Sequence, residues 1–374
     1  MGFFKRVIGR RAGSEPKKSY PPATPPATGE ARLTHIHDLI EKGRAREALG
    51  LLAETAGEPD RQTLLLWARA LLKSGRAEEA IERCERLLSA FGDSVEARVV
   101  IARALAAIGR PDEAFEELDR ASKINPSSAL VPHARGRISE ARGELTAAIA
   151  SFTEALRLNP NFDKAHGSLG IVYDRLGQHE KAIQEYRAAI RKNPDAAIWH
   201  TNLGVVYGVK RMYKEAAEQF RAAITKDQRN AAAHYNFAFV LNDQKMYDEA
   251  IGEFELALEY EPDNVNAHYL LGRALIRRGM YEKAMRELRR TLELHPDHAR
   301  AYHYLGIAQN KRDQINEAVE SFGKAIALDP EDGQSLYFLG IALDRRGDTD
   351  KARDAYRRAE EVIGRAGKTE VGQS

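Results

Sequence analysis

Apolar residues in this chain recur in paired runs at helical spacing. Over 163–196 the first run holds Leu169, Ile171, Val172 and Leu176, and the second holds Ala182, Ile183, Tyr186 and Ile190, with Gly177 between them. Steps of three and four place each run on one face of a helix. The pattern therefore predicts two amphipathic helices joined by a tight turn, and it returns along most of the chain. No period-two stretch suggests a strand.

The return has a fixed period of 34 residues. Prolines stand at 126, 160, 194, 262, 296 and 330, with Gln228 in the one missing slot. Ala80, Ala114, Ala148, Ala182, Ala216, Ala250, Ala284, Ala318 and Ala352 keep the same step. So do Gly75, Gly109, Gly143, Gly177, Gly279 and Gly347, a series that lapses at Arg211, Lys245 and Asp313. Each mark has a physical reason. Proline stops the second helix of a unit, glycine closes the first in a left-handed conformation, and alanine lets two helices approach closely.

The unit resembles the tetratricopeptide repeat, whose signature runs W-x2-L-G-x2-Y, A-x3-F, P. Residues 163–196 supply Leu169-Gly170, Tyr173, Ala182, Tyr186 and Pro194; residues 299–332 supply Leu305-Gly306, Ala318, Phe322 and Pro330. His166, His200, His234, His268 and Tyr302 replace the first aromatic residue of the signature. The resemblance implies an all-α fold, an α-solenoid of about ten antiparallel helix-turn-helix hairpins in a right-handed superhelix. Nine full units are expected at 61–94, 95–128, 129–162, 163–196, 197–230, 231–264, 265–298, 299–332 and 333–366. A degenerate one is expected at 31–60 and a disordered tail at 367–374.

Repeats of this kind have one general use, so the expected function is a non-catalytic interaction scaffold that holds a peptide or protein segment in a concave groove. The alternative is a regulatory or adaptor subunit of an enzyme complex, such as a glycosyltransferase or envelope-assembly machinery. In the family, positions 2, 5, 9 and 12 of each unit face the ligand. Carried over, they give Ile171, Val205, Tyr235, Phe239, Tyr269, Arg273, His303, Ile307, Tyr337 and Ile341 as peptide-binding candidates, joined by Asn202 and Asn236 at position 6, whose amides suit the backbone of a bound peptide. Aromatic and arginine side chains are the usual anchors of interfaces, and these are concentrated in the C-terminal half. The ligand expected there has apolar anchors and some acidic residues. The acidic-peptide clamp of the co-chaperone subgroup is excluded. Around Asn202 its lysine, arginine and asparagine slots hold Gly167, Ile171, Ala232 and Asn236; around Asn236 they hold Thr201, Val205, Asn266 and Leu270.

Composition narrows the classes further. The net charge is +2 over 374 residues, which argues against bulk nucleic-acid binding. A single cysteine, Cys84, excludes an internal disulfide and reads as a small buried hydrophobe. No apolar run reaches the length of a membrane span, and no secretory leader is expected. His166, His200, His234 and His268 sit on different hairpins, about 8–10 Å apart by helix packing, too far for shared metal ligation. No phosphate loop or nucleophile elbow is present, so no enzyme activity, metal or cofactor is expected.

The N-terminus differs from the rest. Phe3, Phe4, Val7 and Ile8 share a helical face, and Lys5, Arg6, Arg10 and Arg11 charge it. Residues 1–11 thus read as a basic amphipathic segment, with Phe3, Phe4, Lys5, Arg6, Val7 and Ile8 as membrane contacts on an anionic surface. The expected attachment is weak and peripheral, on the inner face of the membrane of a cytoplasmic protein. Pro16, Pro21, Pro22, Pro25 and Pro26 make 12–30 an extended linker.

Overall fold

The structure is a computed structural model that describes residues 29–54 and 59–371, with side chains as far as 364. The amphipathic segment 1–11 and most of the proline-rich linker lie outside the described residues.

Twenty helices and no strand make up the described residues. They are α1 (Gly29–Glu41), α2 (Ala45–Ala53), α3 (Arg61–Lys73), α4 (Ala77–Phe91), α5 (Val95–Ala107), α6 (Pro111–Ile124), α7 (Leu130–Ala141), α8 (Leu145–Leu158), α9 (Asp163–Arg175) and α10 (His179–Lys192). Then follow α11 (Ala197–Val209), α12 (Tyr213–Lys226), α13 (Ala231–Asp243), α14 (Tyr247–Tyr260), α15 (Val265–Arg277), α16 (Tyr281–Leu294), α17 (Ala299–Lys311), α18 (Ile315–Leu328), α19 (Gly333–Arg346) and α20 (Thr349–Val371). The last helix continues five residues into the stretch expected to be a disordered tail. Lys368 and Glu370 there are good helix formers, and no proline stops the helix.

Turn chemistry sets the hairpins. Gly75, Gly109, Gly143, Gly177, Gly279 and Gly347 have φ between 71° and 92°. Where glycine lapses, the backbone keeps the same conformation: Arg211, Lys245 and Asp313 have φ of 60°, 63° and 65°. The fold thus imposes a left-handed turn on side chains that ordinarily avoid it.

A second glycine series sets how closely the two helices of a hairpin approach. Gly136 faces the Phe152 ring, Gly170 the Tyr186 ring, Gly204 the Phe220 ring and Gly306 the Phe322 ring. A Cβ on any of them would lie 2.6–2.8 Å from a ring carbon. Phe152, Phe220 and Phe322 are fully buried, so the rings have nowhere to move. Ala148, Ala182, Ala216, Ala250, Ala284, Ala318 and Ala352 are buried to 0% exposure, as the close approach of helices requires.

The chain divides into two compact units, one ending at Ala233 and the other beginning at His234. In the first, successive first helices of the hairpins touch: α1 with α3, α3 with α5, α5 with α7, α7 with α9 and α9 with α11. In the second, α15 touches α17 and α17 touches α19. Among the described residues no two second helices touch. Each stack therefore curves with its first helices on the inner side, and side chains on that side face a concavity.

Candidate binding faces

The inner face of the first unit is built largely from cations. Arg69, Arg103 and Arg137 occupy the same position of three consecutive units, on α3, α5 and α7, and Lys73 stands one turn after Arg69. Lys164 joins them from α9. Against these stands Glu41, the last residue of α1. Its carboxylate accepts hydrogen bonds from Lys164 Nζ at 2.9 Å and from Arg69 at 3.2 Å. Glu140, nearly buried, is occupied by Arg137 at 2.9 Å and Arg175 at 3.4 Å.

Electrostatics confirm that these groups sense one another. Desolvation pushes the Glu41 carboxyl up, but the charge and hydrogen bond of Lys164, then the charges of Lys73 and Arg69, outweigh it and hold the group at about 2. Lys73 falls to about 8, first through desolvation and then through repulsion by Arg103, Lys164 and Arg137, with Glu41 opposing. Arg103 falls to about 10 through desolvation and then repulsion by Arg137 and Arg69. Its side chain still touches water, which is the situation of a group reaching into a concavity with protein on its flanks. His133, desolvated and facing Arg137, Arg103 and Lys164, is held well below the usual imidazole range.

The residues expected to face a ligand have mixed fates. In the first unit Ile171, Asn202 and Val205 are buried, at 5%, 3% and 1% exposure. In the second, Tyr235 lies edge-on to Phe254 and is buried, as is Asn236. Tyr269 is buried against His298 and Tyr304 of the following hairpin. Arg273 is half-buried and lies over the Tyr269 and Tyr304 rings, 5.6 and 5.1 Å from their centroids. Buried His303 bonds Ser335 Oγ at 2.8 Å, and Ile307 packs on the Phe322 cluster. Phe239, Arg273, Ile307 and Ile341 keep partial exposure, and Tyr337 is half exposed.

Each histidine of the ladder bonds within its own hairpin. His166, His234 and His268 meet Glu185, Glu253 and Glu287 at 2.6–2.7 Å, and His200 meets Gln219 at 2.9 Å. Among the described residues no cluster of three metal-ligating side chains occurs, and no helix is long and apolar enough to cross a membrane.

Two tetratricopeptide-repeat family models match the chain, one over 71–138 and 241–306, the other over 133–197, 168–231, 201–259 and 311–367. Together they run over most of its length, and the chain belongs to the tetratricopeptide-repeat family. Its members are generally scaffolds for protein–protein interaction. No curated protein matches the chain. Among solved structures it is similar to YrrB, described as a tetratricopeptide-repeat protein with an unusual peptide-binding site, at 26% identity. That match covers 50% of this chain and 97% of YrrB with a TM-score of 0.47. It is also similar to the Cut9–Hcn1 hetero-tetramer of APC/C, at 17% identity over 85% of this chain and 64% of the other, TM-score 0.57. PilF of Pseudomonas aeruginosa matches at 22% identity over 54% and 91%, TM-score 0.47.

The cationic face was only partly visible in the sequence. By register Arg69, Arg103 and Arg137 stand at position 9, His133 at position 5 and Lys164 at position 2, all groove positions, whereas Lys73 falls one turn beyond position 9 and the aromatic anchors lie in the C-terminal half. The signal was present, since Arg69, Arg103 and Arg137 are 34 residues apart.

Proposed function

We propose that the protein holds a polypeptide segment of a partner against the inner faces of its hairpin stacks and works as a non-catalytic scaffold. The observation that carries this reading is the layering of first helices on the inner side of each stack. It presents an ordered row of side chains at a fixed 34-residue step. In the second unit the accessible members of that row are Phe239, Arg273, Ile307, Tyr337 and Ile341, and a half-exposed Tyr337 beside aliphatic and arginine neighbours suits an apolar anchor on the ligand. A photo-crosslinker placed at Tyr337 should trap a defined partner, and one placed at Arg353 on the second helix of the same hairpin should not. Equal capture from both positions would remove the inner face as the binding surface.

Attachment to an anionic membrane through Phe3, Phe4, Lys5, Arg6, Val7 and Ile8 is a separate reading that rests on their pattern in the sequence. Deleting residues 1–11 should release the protein from anionic vesicles with its helicity intact. Co-sedimentation unchanged by the deletion would remove the anchor.

A further inference from the structure

We infer that the inner face of the first unit binds an acidic polypeptide segment, whose carboxylates bond Lys73 and Arg103 and compete with Glu41 for Lys164 and Arg69. This deepens the scaffold reading and rests on it.

Four observations point this way. First, cations from four helices, α3, α5, α7 and α9, converge on one concavity. Lys73 and Arg103 make no hydrogen bond or ion pair with any described residue, whereas most other arginines among the described residues are paired. Second, the chain itself shows which group fits. Glu41 is held there by Lys164 at 2.9 Å and Arg69 at 3.2 Å, so a carboxylate already occupies part of the site. Third, the compensation is incomplete. The neighbours that bear on Lys73 and Arg103 are other cations, with Glu41 the one opposing charge. An incoming carboxylate relieves that repulsion and gains charge-assisted hydrogen bonds. Fourth, Arg69, Arg103 and Arg137 form a ladder with one rung per hairpin. Packed helices lie about 8–10 Å apart, and an extended chain advances about 3.3 Å per residue. Acidic residues three apart along an extended segment therefore meet successive rungs.

An acidic polypeptide is favoured over nucleic acid for two reasons. The group already bound is a carboxylate, and the chain's net charge of +2 leaves these cations a local cluster rather than part of the extended basic stripe that nucleic acid calls for. The site is not the co-chaperone clamp: Lys164 stands at its position 2, but Val99, Arg103, Ala134 and Ser168 fill the slots where that clamp needs lysine, asparagine, asparagine and arginine.

The test uses the full chain and a fluorescent twelve-residue peptide of repeating Glu-Ser-Ala triplets, with the matching Gln-Ser-Ala peptide as control, read by anisotropy. The Glu peptide should bind in a salt-dependent way and the Gln peptide should not. Lys73→Ala with Arg103→Ala should weaken binding about tenfold or more, as expected for two charge-assisted contacts. Glu41→Gln should tighten it, by about threefold, because a resident competitor is removed. Circular dichroism should be unchanged in both variants. Equal affinity in the double variant overturns the proposal, and so does a Glu41→Gln protein that binds no better. Tighter binding of a single-stranded oligonucleotide of equal charge, lost in the same double variant, would reassign the site to phosphates and overturn it too. None of these failures touches the broader scaffold reading, whose test is crosslinking from Tyr337 in the other unit.

Discussion

Glu41, which ends the first helix, and Lys164, in the first turn of the ninth, are 123 residues apart in the chain and 2.9 Å apart in space. Three hairpins intervene, so the contact exists only because the stack curves. It is also linked to pH. The Glu41 carboxyl is held at about 2, below its ordinary 4.5. A depressed acid contributes stability that is fully present above its unfolded pKa and is lost as pH falls through the folded value. The contribution should therefore persist above about pH 4.5 and disappear toward pH 2. Lys164 is two-fifths exposed, so solvent screens the pair and the expected loss in Glu41→Gln at pH 7 is about 1 kcal/mol. Denaturant unfolding at pH 7 and pH 3 checks this: the gap between wild type and variant should shrink at the lower pH, and a constant gap would refute the linkage.

Gly306 has no room for a methyl group. A Cβ there would lie 2.8 Å from Cε1 of Phe322, whose ring is fully buried. Alanine is the better helix former by about 1 kcal/mol, yet overpacking costs about 1–3 kcal/mol. Gly306→Ala should therefore lose up to about 2 kcal/mol net. The check is a double-mutant cycle. In a Phe322→Ala background, Gly306→Ala should become neutral or stabilising, and the same loss in both backgrounds would mean the ring is not the cause.

Arg211, Lys245 and Asp313 carry left-handed backbone without being glycine. That conformation costs an L-residue about 1–2 kcal/mol, partly offset because glycine has more freedom to lose on folding. Each change to glycine should gain about 0.5–1 kcal/mol. The three sites lie in different hairpins, and the gains should add. A thermal melt of the triple variant below that of wild type would contradict this.

Cys84 is fully buried, and burial, followed by the charge of Glu85, pushes its thiol up to about 12. The thiolate is the reactive form, so a thiol reagent should fail to label native protein at pH 8 and label it fully in denaturant. Rapid labelling of the folded protein would show that this hairpin opens.

The periodic features of the fold were legible because they are local. Gly177 and Ala182 announce a turn and a close helix pair whatever lies elsewhere, and the helices alternate accordingly. The left-handed turns at Arg211, Lys245 and Asp313 could be inferred only from the period, since those residue types give no hint of the conformation. The faces were harder to read. Tyr269 occupies a groove position by register, yet its ring is enclosed by His298 and Tyr304 of the next hairpin. Whether such a position faces a ligand or the neighbouring unit depends on how tightly successive hairpins pack. The meeting of Glu41 with Lys164 depends on curvature summed over several units, which no window of sequence contains.

The rings lying over Gly136, Gly204 and Gly306 have a consequence for how such a chain can change in length. Gly136 and Phe152, Gly204 and Phe220, and Gly306 and Phe322 are each 16 residues apart and within one hairpin. Each of these hairpins therefore carries its own spacer. Duplication or loss of a whole 34-residue block leaves each spacer intact, whereas an insertion between glycine and ring separates the two halves of one. Recombination at the interhairpin turns is thus the tolerated route by which an array of this kind lengthens or shortens, and the ladder of arginines on its inner face would gain or lose rungs in step.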